Sequence, residues 1–314
     1  MNSRWTNHPI KRDGQVVSIR PHVAGDLEIL KCLGRYPVLT PQDISALTQR
    51  SYGAVIARTN LLKRKPNELI QVHRSQLERP RMYQCSPQAL HLTNRGIAKL
   101  KEIGFEIARR EPSIHFLHQL TESQTAASFE IGARERLIPF SEIVNSPSAP
   151  KTFSESEDHS IPVAFSYKGK DYNFKLSPDG RPFGVAYPDD TYRFCVFETD
   201  CASEPLVSSN RDRQAIETKL AAYLAVLENR LYEAHLGLPN LTILFTSTTK
   251  TRVENMIALL ASMSTRYLNS FAFQTFPTIV GDAPQPTDRG WAITKPWLQS
   301  GGKTLHLGEV NGKA

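Results

Sequence analysis

Apolar positions along the chain fall into two regimes. From Asp26 to about residue 65 they recur every three or four residues: Leu27, Leu30 and Leu33 in DLEILKCLGRYP, a second short run in PQDISALTQ, then Val55, Ile56, Leu61 and Leu62 in SYGAVIARTNLLKRK. That spacing predicts three short amphipathic helices. Thr40 followed by Pro41 has the form of an N-cap with proline at the first helical position, so the second helix starts there. After Pro66, LIQVH and RMYQCS read as two strands joined by the basic turn RSQLERPR, and HLTNRGIAKLKEIG as a closing helix.

Beyond residue 110 the period changes. HFLHQLTESQTAASFEIGARER predicts one more helix, followed by a loop rich in Ser and Pro. IPVAFSYKG and KDYNFKLSPDG then alternate like paired strands with a turn at Lys-Gly-Lys, and YRFCVFETD is a stronger strand ending on carboxylates. RDRQAIETKLAAYLAVLENRLYEAHLG predicts a long amphipathic helix closed by Gly237. LTILFTST, TRVENMIALLASMST and FAFQTFPTIV continue as strand, helix and strand, and the Pro- and Gly-containing tail from Gly281 reads as loop. Helix, helix, helix, two-stranded wing, helix is the order of a winged helix-turn-helix, and strand alternating with helix is the order of an α/β core with part of its sheet parallel. The expected organisation is a flexible basic arm at 1–22, a winged helix-turn-helix at 23–110, a helical connector and loop at 111–160, an α/β domain at 161–280 and a loop-rich tail at 281–314. The fold class is α/β, α+β overall.

At 314 residues, with 40% hydrophobic and 22% charged residues, the composition is that of an ordinary folded chain long enough for two cores. No stretch has the roughly 18 apolar residues of a membrane span, and the start lacks a signal-peptide core, so a cytoplasmic protein with no membrane partner is expected. Cys32, Cys85, Cys195 and Cys201 match neither a zinc clip nor a redox motif and are expected as free thiols. Charge is divided unevenly. Residues 1–110 carry 19 Lys and Arg against 8 Asp and Glu, a net +11, whereas residues 111–314 carry 19 against 23, a net −4. A basic head gains affinity for a polyanion by displacing counterions from phosphates, so double-stranded DNA is the expected partner.

On the third helix Arg50, Ser51, Tyr52, Arg58, Thr59 and Lys63 can face outward. Arg50, Tyr52, Arg58 and Lys63 are the candidate groove or phosphate contacts, with Arg74, Arg79 and Arg81 on the wing. The candidate chemistry lies in the second half. On a strand, residues two apart share a side, so Glu198 and Asp200 can converge with Asp179 beside them. Carboxylates pressed together suit a hard divalent cation, which makes these three the candidate metal ligands. Lys219, on the following helix with Tyr223 one turn later, could stabilise developing phosphate charge or assist an attacking water. Glu130 could add a carboxylate. His115 and His118 are spaced like ligands on adjacent helical turns, but without a third ligand nearby they read as structural. No serine–histidine–acid order, phosphate-binding glycine loop or dinucleotide glycine pattern is present.

The winged-helix span from DLEILKCLGRYPVLTPQDISAL to YQCSPQALHLTNRGIAKL, the LSPDG turn, and FCVFETDCASEPL with the helix around KLAAYLAVL together resemble the replication-relaxation family of plasmids and integrated mobile elements. The likeness covers most of residues 25–250 and rests on the order and spacing of these stretches. The second domain is similar to the PD-(D/E)XK restriction-endonuclease-like fold, in which a Pro-Asp turn precedes a strand bearing Glu-x-Lys. Pro178-Asp179 matches the first element and Glu198 the second. The lysine position is occupied by Asp200, and Lys219 on the helix is the residue that could substitute. The resemblance implies a DNA-binding protein acting in plasmid replication, relaxation or transfer. Catalytic Asp179, Glu198, Asp200 and Lys219 would then nick DNA with Mg²⁺ or Mn²⁺, and a relaxase or replication initiator and a second copy of the chain become possible partners. The alternative it leaves is a transcriptional regulator or accessory DNA-binding factor whose nuclease fold no longer cuts.

Overall fold

The computed structural model describes residues 11–12, 15–16, 24–79, 81, 83, 86–107, 115–156, 158–202, 204–207, 215–277, 279–280 and 283–309. The basic arm expected at 1–22 therefore lies outside the described residues, except for the pairing of Lys11–Arg12 (β1) with Gln15–Val16 (β2). The fold is mixed α/β and divides into two compact units: residues 1–131 with 278–289, and residues 132–277 with 290–314. The division falls near the end of the connector helix expected from the sequence, and the last 25 residues belong to the second unit.

The first unit begins with α1 (Ala24–Arg35), α2 (Pro41–Thr48) and α3 (Tyr52–Lys63). Thr40 caps α2 reciprocally. Its Oγ1 accepts from Asp43 N at 3.4 Å, while the Asp43 carboxylate accepts from Thr40 N at 2.9 Å and from Thr40 Oγ1 at 2.6 Å. The buried carboxylate also accepts from Gln124 Nε2 at 2.9 Å and from Arg289 Nη1 at 2.7 Å. One acid thus starts a helix and pins two distant segments to it.

The hairpin differs from expectation. Ile70–Val72 (β3) pairs with Leu90–Leu92 (β4), the presumed turn contains the helix α4 (Arg74–Glu78), and the expected second strand at 81–86 lies partly outside the described residues. Leu90 also bridges to Leu39 between α1 and α2. The pairing follows burial: Ile70 and Leu90 join Ile29, Leu33, Ile44, Val55, Leu62 and Leu100 in one core, whereas RMYQCS has no apolar alternation to offer. Thr93 then caps α5 (Asn94–Glu102). Gly96 is required on this helix, because a Cβ there would lie 2.1 Å from the Leu69 carbonyl oxygen. The connector helix, α6 (Phe116–Ala133), forms as expected.

In the second unit the sheet is seven-stranded and mixed. Leu137–Ile138 (β5) leads to the short helices α7 (Phe140–Val144) and α8 (Lys151–Ser156). The expected hairpin, β6 (Ile161–Tyr167) with β7 (Lys170–Leu176), forms its own two-stranded sheet, with positive φ at Lys168 and Gly169 in the turn. Next come β8 (Phe183–Ala186), β9 (Tyr192–Asp200), α9 (Ile216–Glu228), α10 (Leu231–Leu236), β10 (Thr242–Ser247), α11 (Lys250–Met263) and β11 (Phe271–Thr275). Over its described part, 215–237, the long helix expected from residue 211 is two helices, broken where Arg230 turns left-handed at φ 52°. Gly237 closes the second one at φ 67°.

In this sheet β11, β10, β9, β8 and β5 are successive neighbours, with β9, β10 and β11 parallel. After the two-residue pair Ile279–Val280 (β12) and Ala283–Pro284 (β13), the chain forms α12 (Trp291–Thr294), β14 (Trp297–Leu298) and β15 (Thr304–Leu305). The tail is therefore not a loop. It adds two antiparallel strands to the sheet and buries Trp291 and Trp297 completely. Strands two residues long carry no periodicity, so the pattern along the chain could not reveal them.

Candidate active site

Parallel β9 and β10, each followed by a helix, bring the candidate residues to the carboxyl ends of the strands, where open α/β sheets usually bind ligands. Val196 joins Leu220, Tyr223, Val253 and Met256 in one core, so this side of β9 packs on α9 and α11. Glu198 and Asp200, two and four residues further along, share it. Glu198 is 1% exposed. The phenol of Tyr223 donates to its Oε1 at 2.6 Å, and Lys219 Nζ donates to its Oε2 at 3.1 Å. Lys219 and Tyr223 are one helical turn apart on the same face of α9, as expected, and both reach this one carboxylate.

Asp179 joins this group along the edge of β9. Its Oδ2 accepts from Thr199 N at 2.7 Å, which extends the backbone contact of Gly180 N with Phe197 O at 3.4 Å. Gly180 permits that approach, since a Cβ there would lie 1.8 Å from Cε1 of the Phe197 ring. Burial first, and the neighbouring charge of Asp179 second, push the Glu198 carboxyl above the ordinary carboxylate range. Burial alone would lower the Lys219 ammonium, but Glu198, Asp179 and Glu204 together raise it above its ordinary value. Burial and Glu198 likewise hold the Tyr223 phenol well above its usual range, so it remains a proton donor.

Asp200 does not take part. Its Oδ2 accepts from Ser247 Oγ at 2.7 Å and from the Arg252 guanidinium, and its Oδ1 accepts from Arg252 Nη2 at 2.9 Å and from Ala202 N at 3.0 Å. Of the three carboxylates expected to converge, Asp200 is turned away to Arg252 at the start of α11, which neutralises it. Among the described residues no group of three or more His, Cys, Asp and Glu is arranged to hold a metal. Glu130 is engaged elsewhere, accepting from Arg35 at 2.9 Å and from Tyr36 in the first unit.

Sequence reasoning missed Glu204. The chain leaving β9 folds back over the site: Arg252 donates to the Glu204 carbonyl, and Pro205 and Leu206 carbonyls accept from Ile216 and Glu217 at the start of α9. This places Glu204 Oε2 3.8 Å from Lys219 Nζ. No local pattern marks such a residue, since its position depends on the loop closing against two helices.

On the first unit the candidate contacts divide. Tyr52 is 47% exposed and Arg74, Arg79 and Arg81 are exposed, with Arg74 paired to Glu78. Lys63 reaches Gln88. Arg58 is not an outward residue: its guanidinium grips the carboxylate of Asp26, which is buried on α1. Thr59 is buried as well, and the Arg50 guanidinium lies over Gly25. The outer face of α3 therefore runs through Ser51, Tyr52, Gly53 and Ala57 rather than through Arg58. Cys32 and Cys195 are free, buried thiols whose burial pushes both up to about 12, as inert structural cysteines require. No helix among the described residues is long and apolar enough to cross a membrane. No family model, curated protein or solved structure matches this chain.

Proposed function

We propose that this chain is a DNA-binding protein of a plasmid or integrated mobile element, acting in replication, relaxation or transfer. In this reading the first unit is a winged helix-turn-helix and the second a PD-(D/E)XK-like domain that nicks DNA. The observation that carries it is the convergence of Asp179, Glu198 and Lys219 from a turn, a strand and a helix onto one buried point. Three carboxylates, Asp179, Glu198 and Glu204, surround one ammonium in a site of low dielectric, and that unbalanced charge fits a hard divalent cation such as Mg²⁺ or Mn²⁺. Asp179 and Glu198 would hold it. When bound, the cation would supply Lewis acidity toward a phosphodiester and a more acidic water. Tyr223 orients the Glu198 carboxylate, and Lys219, kept charged by its acidic neighbours, offers positive charge to the phosphate.

The test is incubation of the protein with supercoiled plasmid carrying its own neighbouring sequence, in Mg²⁺, Mn²⁺ or EDTA. Open-circular product that requires metal and disappears in Asp179→Ala supports nicking; product that persists in that variant overturns it. A second reading, an accessory DNA-binding factor or transcriptional regulator without cleavage, is favoured by one observation: both Glu198 oxygens already have partners within the protein. Retarded but intact plasmid supports that reading. A relaxase or replication initiator, and a second copy of this chain on a two-fold site, are the partners proposed under either one.

A further inference from the structure

Both oxygens of Glu198 are taken, Oε1 by the Tyr223 phenol at 2.6 Å and Oε2 by Lys219 Nζ at 3.1 Å. A cation held by Glu198 must displace one of these donors, and they are not equally easy to move. Tyr223 is fully buried in one core with Val196 and Leu220, whereas the Lys219 side chain keeps 17% of its surface exposed and carries its charge on a flexible stem. The lysine is the donor that can yield.

An ammonium released where water is scarce needs another anion, because an unpaired buried charge is costly. Asp200 is already neutralised by Arg252. The acids whose charge Lys219 feels are Glu198, Asp179 and Glu204, and the first two are the proposed ligands, which leaves Glu204. Its Oε2 lies 3.8 Å from Nζ, inside ion-pair range but beyond hydrogen-bond length. That oxygen is withdrawn from water and accepts no hydrogen bond from any described residue. A buried carboxylate oxygen without a donor is uncommon in folded proteins and calls for an explanation. Closing the gap takes a shift of Nζ of about 1 Å, within reach of the terminal torsions of a lysine.

The acceptor is also held in place. Arg252 on α11 donates to the Glu204 carbonyl, and Ile216 N and Glu217 N on α9 donate to the carbonyls of Pro205 at 3.1 Å and Leu206 at 2.9 Å. Anchored to two helices, the loop keeps the Glu204 carboxylate beside Lys219 while the lysine exchanges partners.

We infer that Glu204 is a positioning residue, the second seat of Lys219: with a divalent cation on Asp179 and Glu198, the ammonium passes from Glu198 Oε2 to Glu204 Oε2. This rests on the metal-binding reading above and adds to it the means by which Glu198, paired within the protein, becomes free to act as a ligand. The lysine stays charged and paired throughout, next to the place where phosphate charge would develop.

The experiment is calorimetric titration of the full chain with Mn²⁺ near neutral pH, without DNA. Binding that Asp179→Ala removes belongs to this site. Glu204→Gln should bind Mn²⁺ about tenfold more weakly, because a neutral amide accepts from an ammonium less strongly than a carboxylate does. Lys219→Met, which lacks the competing ammonium, should bind at least as tightly as the parent, and adding Glu204→Gln to it should change affinity by no more than about twofold. Lys219→Gln removes the same charge and takes its place in the comparison if the methionine variant does not fold. Unchanged affinity in Glu204→Gln overturns the inference. So does a loss that persists without the lysine, which would make Glu204 a ligand or a distant attractor, and so does binding in Lys219→Met but not in the parent, which would mean that the lysine never yields. Absence of Asp179-dependent binding in both the parent and Lys219→Met overturns the metal-binding reading itself.

Discussion

Replacing Arg252 by Met tests whether Asp200 serves the fold or the chemistry. The Asp200 side chain is 2% exposed and that of Arg252 17%, so the pair is largely withdrawn from water. Without the guanidinium, Asp200 keeps only the Ser247 hydroxyl and the Ala202 amide, two neutral donors for one buried charge. Removing one partner of such a pair costs about 3–5 kcal/mol, because the remaining ion stays desolvated. The variant also releases the Glu204 carbonyl and so loosens the loop over the site. With a urea slope of about 2 kcal/mol/M, the midpoint of the second unit should fall by roughly 1–3 M. Fluorescence of the buried Trp291 and Trp297 reports that transition directly. Asp200→Asn removes the charge at fault, so the double variant should be more stable than the sum of the single losses by about 1–3 kcal/mol. Asp200→Asn alone should retain nicking per folded molecule, where Asp179→Ala loses it. An Arg252→Met midpoint within error of the parent, or strictly additive losses, would refute the structural role assigned to Asp200.

Three further outcomes follow from the same reasoning. Arg58→Met should destabilise the first unit by about 3–5 kcal/mol, since Asp26 is 1% exposed, yet leave the salt slope of DNA binding unchanged; urea denaturation and anisotropy measure the two separately. Burial, and then the nearby His91, hold His73 down to about 4, so the folded state keeps it neutral while the unfolded chain takes up a proton near pH 6.5. Its contribution is therefore complete above pH 6.5 and is lost as pH falls toward 4, at up to about 1.4 kcal/mol per pH unit, a slope that His73→Phe should flatten in urea titrations across that range. Gly180→Ala, which drives a Cβ into the Phe197 ring, should cost about 1–3 kcal/mol and displace Asp179, with Phe197→Leu restoring both stability and nicking.

Periodicity along the chain determined most elements of both units, because helices and strands of six or more residues repeat their burial often enough to be read. The Thr40-Pro41 start of α2, the β6–β7 hairpin and the succession from β9 to β11 all follow from local chemistry. The approach of Lys219 to the acidic cluster was legible too, although its partner there, Glu198, was not singled out by the sequence.

Only the tertiary structure decided the rest. Asp200 looked like a metal ligand until Arg252, 52 residues later, arrived on the same side of the sheet. Arg58 looked solvent-facing until Asp26 claimed it, and Glu204 had no mark in the sequence at all. The second hairpin strand and the tail strands were misread for a related reason: segments of two or three residues take their structure from the partner they pair with. A side chain's direction follows from local backbone geometry, but whether its charge is free or already neutralised depends on residues far away in sequence, and that is settled only when the chain closes on itself.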